Sequence, residues 1–231
     1  MTLREKYGEW GIILGATEGV GKAFCERLAK EGMNVVMVGR REEKLKELGE
    51  ELKNTYEIDY KVVKADFSLP DATDKIFAAT ENLDMGFMAY VHSFGKIQDT
   101  PWEKHEAMIN VNVVTFMKCF YHYMKIFAAQ DRGAVINVSS MTGISSSPWN
   151  GQYGAGKAFI LKMTEAVACE TEKTNVDVEV ITLGTTLTPS LLSNLPGGPQ
   201  GEAVMKTAQT PEEVVDEAFE KLGKELSVIS G

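Results

Sequence analysis

Short apolar runs alternate with longer amphipathic ones along the whole chain, and few architectures accept that pattern. Trp10–Gly15 (WGIILG) reads as a strand and Val20–Glu31 as a helix ended by Gly32. Asn34–Val38 is a second strand, Glu42–Lys53 a charged helix, Tyr60–Ala65 a third strand, Asp71–Glu81 a helix and Gly86–Val91 a fourth strand. A long helix, Trp102–Gln130, follows Pro101, and then come strand Gly133–Ser139, helix Gln152–Thr174 and strand Val176–Leu183. Helix Pro211–Leu222 and a short strand at Leu226–Ile229 close the pattern. Strands that are apolar throughout and separated by helices are satisfied as a parallel sheet with helices on both faces. The expected fold class is therefore α/β with a doubly wound parallel sheet, and 231 residues suit one such domain, 1–231. Ligands of such sheets sit at the carboxyl ends of the strands, so the chemistry belongs just after each strand.

Composition removes several function classes. Lys and Arg number 24 against 33 Asp and Glu, a net charge of −9, which argues against nucleic acid or an anionic membrane as partner. Cys25, Cys119 and Cys169 are far apart with no C-x-x-C, the pattern of reduced thiols in a cytoplasmic protein. His92, His105 and His122 lack paired ligand spacing, so no metal is expected. Met1–Glu9 lacks the apolar core of a signal peptide, and no run approaches the ~18 apolar residues of a membrane span.

The first strand runs into Gly15-Ala16-Thr17-Glu18-Gly19-Val20-Gly21, which opens the first helix. Glycines there permit a tight turn and close backbone approach to a pyrophosphate, and the helix N-terminus supplies amides and positive dipole. This is the cofactor loop of a Rossmann fold. At the end of the second strand, where an NAD enzyme places a carboxylate, stand Gly39, Arg40 and Arg41. A guanidinium pairs with a 2′-phosphate that a carboxylate would repel, so NADP(H) is the expected cofactor, with Glu18 beside the phosphates as a counter-signal. Asp66, after the third strand, is placed either to bind the adenine amino group, with Phe67 beside it, or to cap the next loop.

Three Tyr-x-x-x-Lys pairs occur, so the spacing alone selects nothing. Tyr60/Lys64 falls in a strand and Tyr121/Lys125 deep in a long helix, whereas Tyr153/Lys157 opens a helix behind a strand ending in serines, with Ser140 upstream. A phenol titrates near ~10, and an adjacent ammonium together with the positive nicotinamide ring favours phenolate. Such a tyrosine can exchange a proton with a carbinol while hydride moves to or from a nicotinamide, and Ser140 can hydrogen-bond the substrate oxygen. Asn112, a poor residue for the middle of a helix, either holds a water linked to Lys157 or is a satisfied core polar group.

Gly15–Gly21, Asn112, Ser140 and Tyr153/Lys157 together resemble the short-chain dehydrogenase/reductase superfamily in order and spacing. More narrowly, GATEGVGKAF (15–24), VGRREEKL (38–45), SSMTGISSSPWNGQYGAGKAF (139–159) and TLGTTLTPSLLSNLPGGPQGEAV (182–204) resemble the NADP-dependent 7β-hydroxysteroid dehydrogenases of gut bacteria. The resemblance implies interconversion of 7-oxo and 7β-hydroxy bile acids, cytoplasmic location, and a homodimer or homotetramer. There are departures. The superfamily's N-N-A-G is not recognisable in Tyr90–Gly95, which is about three residues shorter than in relatives; Leu183-Gly184 replaces Pro-Gly, and relatives extend past Gly231.

On the acceptor side, Met141, Ile144, Pro148, Trp149, Leu187, Leu191, Leu192 and Leu195 form an apolar set suited to a bulky hydrophobic substrate. An apolar lining fits a steroid or a fatty-acyl chain equally, so a reductase of 3-oxoacyl thioesters stays open beside the steroid enzyme. A non-catalytic NADP(H)-binding relative is disfavoured because both Tyr153 and Lys157 are present. Thr185, Thr186 and Thr188 are placed to hold the nicotinamide carboxamide, and 185–205 reads as a substrate lid.

Overall fold

The computed structural model describes residues 2–91, 101–145, 151–192 and 198–230. Strands β1 (Trp10–Leu14), β2 (Asn34–Gly39), β3 (Tyr60–Lys64), β4 (Met85–Tyr90), β5 (Gly133–Ser140), β6 (Val176–Leu183) and β7 (Ser227–Ser230) form one parallel sheet in the order β3-β2-β1-β4-β5-β6-β7. Helices α1 (Leu3–Tyr7), α2 (Gly19–Lys30), α3 (Glu42–Tyr56), α4 (Ala72–Thr80), α5 (Trp102–Ile109), α6 (Phe116–Gln130) and α7 (Gly151–Thr171) accompany it. After β6 come α8 (Pro189–Leu192), α9 (Pro199–Thr207) and α10 (Pro211–Lys221). The doubly wound α/β fold matches the expectation. The short α1 has no counterpart in the sequence reading; a capping box between Thr2 and Glu5 starts it and buried Tyr7 anchors it.

Consecutive strand residues supply opposite cores. Ile13, Val35, Met37, Phe87, Ile136 and Ile181 pack with Phe24 and Leu28 of α2 and with Val214 and Val215 of α10. Ile12, Leu14, Val36, Val38, Met88, Val135 and Val178 pack with Phe116, Phe120 and Phe127 of α6 and with Ile160 of α7. Burial on both faces is why these strands read as unbroken apolar runs. Among the described residues no helix is long and apolar enough to cross a membrane.

The chain winds outward in both directions from β1 and β4, which opens a crevice beyond their carboxyl ends. The expected helix 102–130 is α5 and α6 joined by a π-helical turn, Asn110–Thr115. Two side-chain contacts brace the turn, the first of them on a helix carbonyl. The Tyr90 hydroxyl donates to the Val111 carbonyl at 2.6 Å, and the Thr115 hydroxyl donates to the Phe67 carbonyl at 2.9 Å. An inserted side chain that takes a helix carbonyl widens the local turn.

Phe24 is fully buried between Phe87 (ring centroids 6.2 Å apart) and Phe219 (5.9 Å), joining α2 to β4 and α10. Phe24→Ala is expected to cost about 3–5 kcal/mol, read as a lowered denaturant midpoint.

Candidate active site

The crevice is a cleft of ≈ 410 Å³. Its walls are Gly15, Thr17, Glu18, Gly19 and Val20 after β1; Gly39, Arg40 and Arg41 after β2; and Ala65, Asp66 and Phe67 after β3. Val91, Val138–Ser140, Thr142, Tyr153 and Lys157 line it, and so do Leu183–Thr186, Thr188, Pro189 and Leu191. Residues distant in sequence thus meet where the topology reverses.

Gly15 takes φ +98°, and a Cβ there would lie 2.1 Å from the Val91 carbonyl oxygen. A Cβ on Gly21 would lie 1.9 Å from the Gly15 carbonyl oxygen. These two glycines let α2 start directly against the β1 turn. Glu18, the N-cap of α2, makes no side-chain cap bond, so the first-turn amides keep the donors that an anion would use. Its carboxylate pairs instead with Arg41 at 2.8 Å. Arg41 therefore enters the cleft already bound to a carboxylate, and Arg40 stands exposed beside it. Asp66 accepts from Ser68 N (3.1 Å) and Ser68 Oγ (2.8 Å), the capping role, while it also lines the cleft. Phe67 is mainly a core residue, packed against Tyr90 at 5.7 Å between ring centroids. The glycine cradle, the open helix start and the two arginines form a cleft that fits a dinucleotide.

Ser140 ends β5. Its Oγ accepts from Thr142 N (3.3 Å) and Thr142 Oγ1 (3.0 Å) and hydrogen-bonds the Tyr153 hydroxyl. Tyr153 and Lys157 lie one turn apart on α7, with the Lys157 Nζ 5.7 Å from the Tyr153 ring centre. Lys157 is 1% exposed; its Nζ donates to the Val138 carbonyl at 2.9 Å, and burial pulls its pKa down from 10.5 to about 8. The Tyr153 phenol lies above its ordinary value because burial outweighs the Ser140 hydrogen bond. The phenolate expected from the neighbouring ammonium is thus not favoured by the chain alone, since desolvation acts on both groups.

Asn112 sits in the π turn, where its Nδ2 donates to the Met108 carbonyl at 3.2 Å and its buried Oδ1 has no protein partner. A water is the natural donor to that oxygen. Gly156 brings α7 against it, for a Cβ there would lie 2.8 Å from Asn112 Cβ. Gly154 likewise faces the Thr142 carbonyl at 2.6 Å. The sequence reading passed over Gly154, Gly156 and Thr142. Two glycines inside one helical turn, each costing ~1 kcal/mol of helix propensity, were the signal of close approach.

On the acceptor side, Met141, Ile144 and Leu192 are exposed, while Leu187 and Leu191 are partly buried. Pro148, Trp149 and Leu195 lie outside the described residues, as do His92 and the segment after it. Thr186 is buried, Thr185 is exposed, and the Thr188 Oγ1 accepts from Leu191 N at 3.2 Å. Among the described residues no His/Cys/Asp/Glu group is arranged for a metal.

Two outcomes follow from this packing. Lys157→Met exchanges a buried ammonium for an apolar side chain of similar length and should raise stability on the order of 1–3 kcal/mol at pH 7. Between about 8 and 10.5 the unfolded wild type binds more protons than the folded one, so wild-type stability rises with pH. Denaturation midpoints of the two proteins should therefore converge as pH climbs from 8 to 10. Gly156→Ala gains ~1 kcal/mol of helix propensity but meets Asn112, and overpacking of ~1–3 kcal/mol should leave it less stable than wild type.

Residues 9–195 match the short chain dehydrogenase family. The chain is 99% identical to a 7β-hydroxysteroid dehydrogenase of Mediterraneibacter gnavus over 234 aligned positions, covering all of this chain and 89% of that protein. It is 83% identical to one from Collinsella aerofaciens, again over the whole chain and 89% of the relative. A solved structure from work on 7β-hydroxysteroid dehydrogenase stereoselectivity, 83% identical, superposes with a TM-score of 0.96 over 100% of this chain and 90% of that one. The 234 aligned positions exceed the 231 residues here, so at least three positions of the relative have no counterpart in this chain. With the fold, the cleft and these likenesses in agreement, the chain belongs to the short-chain dehydrogenase family.

Proposed function

We propose that this protein transfers hydride between NADP(H) and the 7-position of bile acids, interconverting 7β-hydroxy and 7-oxo groups. The observation that carries the reading is the meeting of Ser140, Tyr153 and Lys157 in one cleft, in a chain 99% identical to a 7β-hydroxysteroid dehydrogenase. In the reductive direction the Tyr153 hydroxyl gives its proton to the carbonyl oxygen as that carbon becomes a carbinol; in oxidation the phenolate takes it back. Ser140 holds the same oxygen by a hydrogen bond. The bound nicotinamide supplies or accepts the hydride. The Lys157 ammonium and the positive nicotinamide ring together offset the burial that favours phenol, and the Asn112 Oδ1 holds a water that leads from Lys157.

Arg40 and Arg41 take the 2′-phosphate, Arg41 exchanging its Glu18 partner for it, while Gly15, Thr17, Gly19 and Val20 border the pyrophosphate and Gly21 lets α2 start close behind them. Asp66 and Phe67 border the adenine, and Thr186 and Thr188 the carboxamide. Leu191 lines the cleft, and the exposed Met141, Ile144 and Leu192 offer further apolar surface for the steroid. The reading includes a cytoplasmic homodimer or homotetramer, supported by free Cys25, Cys119 and Cys169 and by exposed Trp102, Ile109, Val114 and Tyr121 along α5–α6.

Absorbance at the NADPH band tests it, with 7-oxolithocholate as acceptor and NADH and Tyr153→Phe run in parallel. NADPH oxidation yielding 7β-alcohol is expected, with a rate loss of ~10³-fold or more in Tyr153→Phe. Turnover of a 3-oxoacyl thioester but not of the steroid would overturn the substrate. Equal use of NADH would overturn the cofactor.

A further inference from the structure

The wall of the cleft formed by Gly184–Thr188 belongs to no helix or strand, yet it borders the region where Tyr153 and Lys157 meet. Backbone bonds hold it on two sides. Gly184 N donates to the Ser230 carbonyl at 2.9 Å, continuing the β6–β7 ladder. Gln209 N donates to the Thr185 carbonyl at 3.0 Å, and Leu187 N to the Gln209 carbonyl at 2.8 Å. Neither set fixes the two sides relative to each other.

A side-chain cluster does. Ser230 is 1% exposed, and its Oγ lies 2.6 Å from Gln209 Oε1 and 2.7 Å from Glu217 Oε2. Gln209 Nε2 reaches Glu217 Oε2 at 3.4 Å, closing a ring between β7, Gln209 two residues before α10, and the second turn of α10. Val228 and Ser230 are the buried positions of β7; Val228 fills core, whereas Ser230 spends its site on a polar link. A buried hydroxyl within reach of two acceptor oxygens is costly to lose: its one proton serves either of them, and without it Glu217 Oε2 keeps only the long Gln209 Nε2 contact. The ring thereby couples the end of the sheet to the segment that faces Thr186 and Thr188 into the cleft.

We propose that Ser230, through Gln209 and Glu217, is a positioning residue that fixes the Gly184–Thr188 wall and so sets where the nicotinamide end of the cofactor lies against Tyr153. This rests on the reading of the cleft as an NADP(H) site. Ser230 and Gln209 touch neither the reacting atoms nor the adenine side. Their removal therefore acts on one half of the cofactor.

The test compares binding of NADPH with that of 2′,5′-ADP, which carries the adenosine 2′-phosphate but no nicotinamide, in wild type and Ser230→Ala. Ser230→Ala is expected to weaken NADPH roughly 3- to 10-fold and raise its KM more than it lowers kcat, with 2′,5′-ADP affinity unchanged. Gln209→Leu keeps the backbone bonds, should show the same split, and provides the measurement if Ser230→Ala does not fold. Unchanged NADPH binding, or an equal loss of both ligands together with a lower melting temperature, overturns the proposal and leaves Ser230 a structural residue. A wild-type chain that binds neither ligand overturns the cofactor reading and this proposal with it.

Discussion

The active residues depend on how closely α7 approaches the ends of β5 and the π turn. Three contacts set that approach: the Ser139 hydroxyl donating to the Lys157 carbonyl at 2.9 Å, Gly154 against Thr142, and Gly156 against Asn112. Gly143 belongs to the same junction, since a Cβ there would lie 2.9 Å from the Ala158 nitrogen. Without such glycines the helix would stand off, and Lys157 could not reach Val138 from a fully buried position. The proposed mechanism needs a charged lysine there, and the cost of burying it is offset by the packing that surrounds it.

The same economy shapes the cofactor end. α2 begins without a side-chain cap and α3 begins behind two arginines, so both helix starts give up local stability for an anion site. The Glu18–Arg41 pair partly offsets this in the free chain. It is half-exposed, and surface pairs of this kind are worth only about 0–1 kcal/mol, so a phosphate can displace the carboxylate.

Sequence periodicity located β1, β2 and β4 most directly because they are almost wholly buried apolar runs, whereas β3 and β6 were legible through their β-branched residues despite Lys61, Asp177 and Glu179. Of the three Tyr-x-x-x-Lys pairs, Tyr153/Lys157 lines the cleft, and that placement was legible because only this pair follows a strand and opens a helix. The π turn was not. It depends on the Tyr90 hydroxyl reaching Val111, and the pattern of 102–130 reads as a plain helix without that contact. The depth of burial that raises the Tyr153 pKa was not legible either, because adjacency to Lys157 is visible in sequence whereas burial is not.

What the sequence determined by itself is the order of elements, the glycine loop at the first strand's end, and the side chains able to move a proton. Those depend on local spacing and residue chemistry. Only the tertiary structure decided which groups meet: Asn112 against Gly156, Arg41 on Glu18, and Ser230 between Gln209 and Glu217. Each of these joins residues that no helical or strand period relates, and their contact exists only after the sheet has wound outward from β1 and β4.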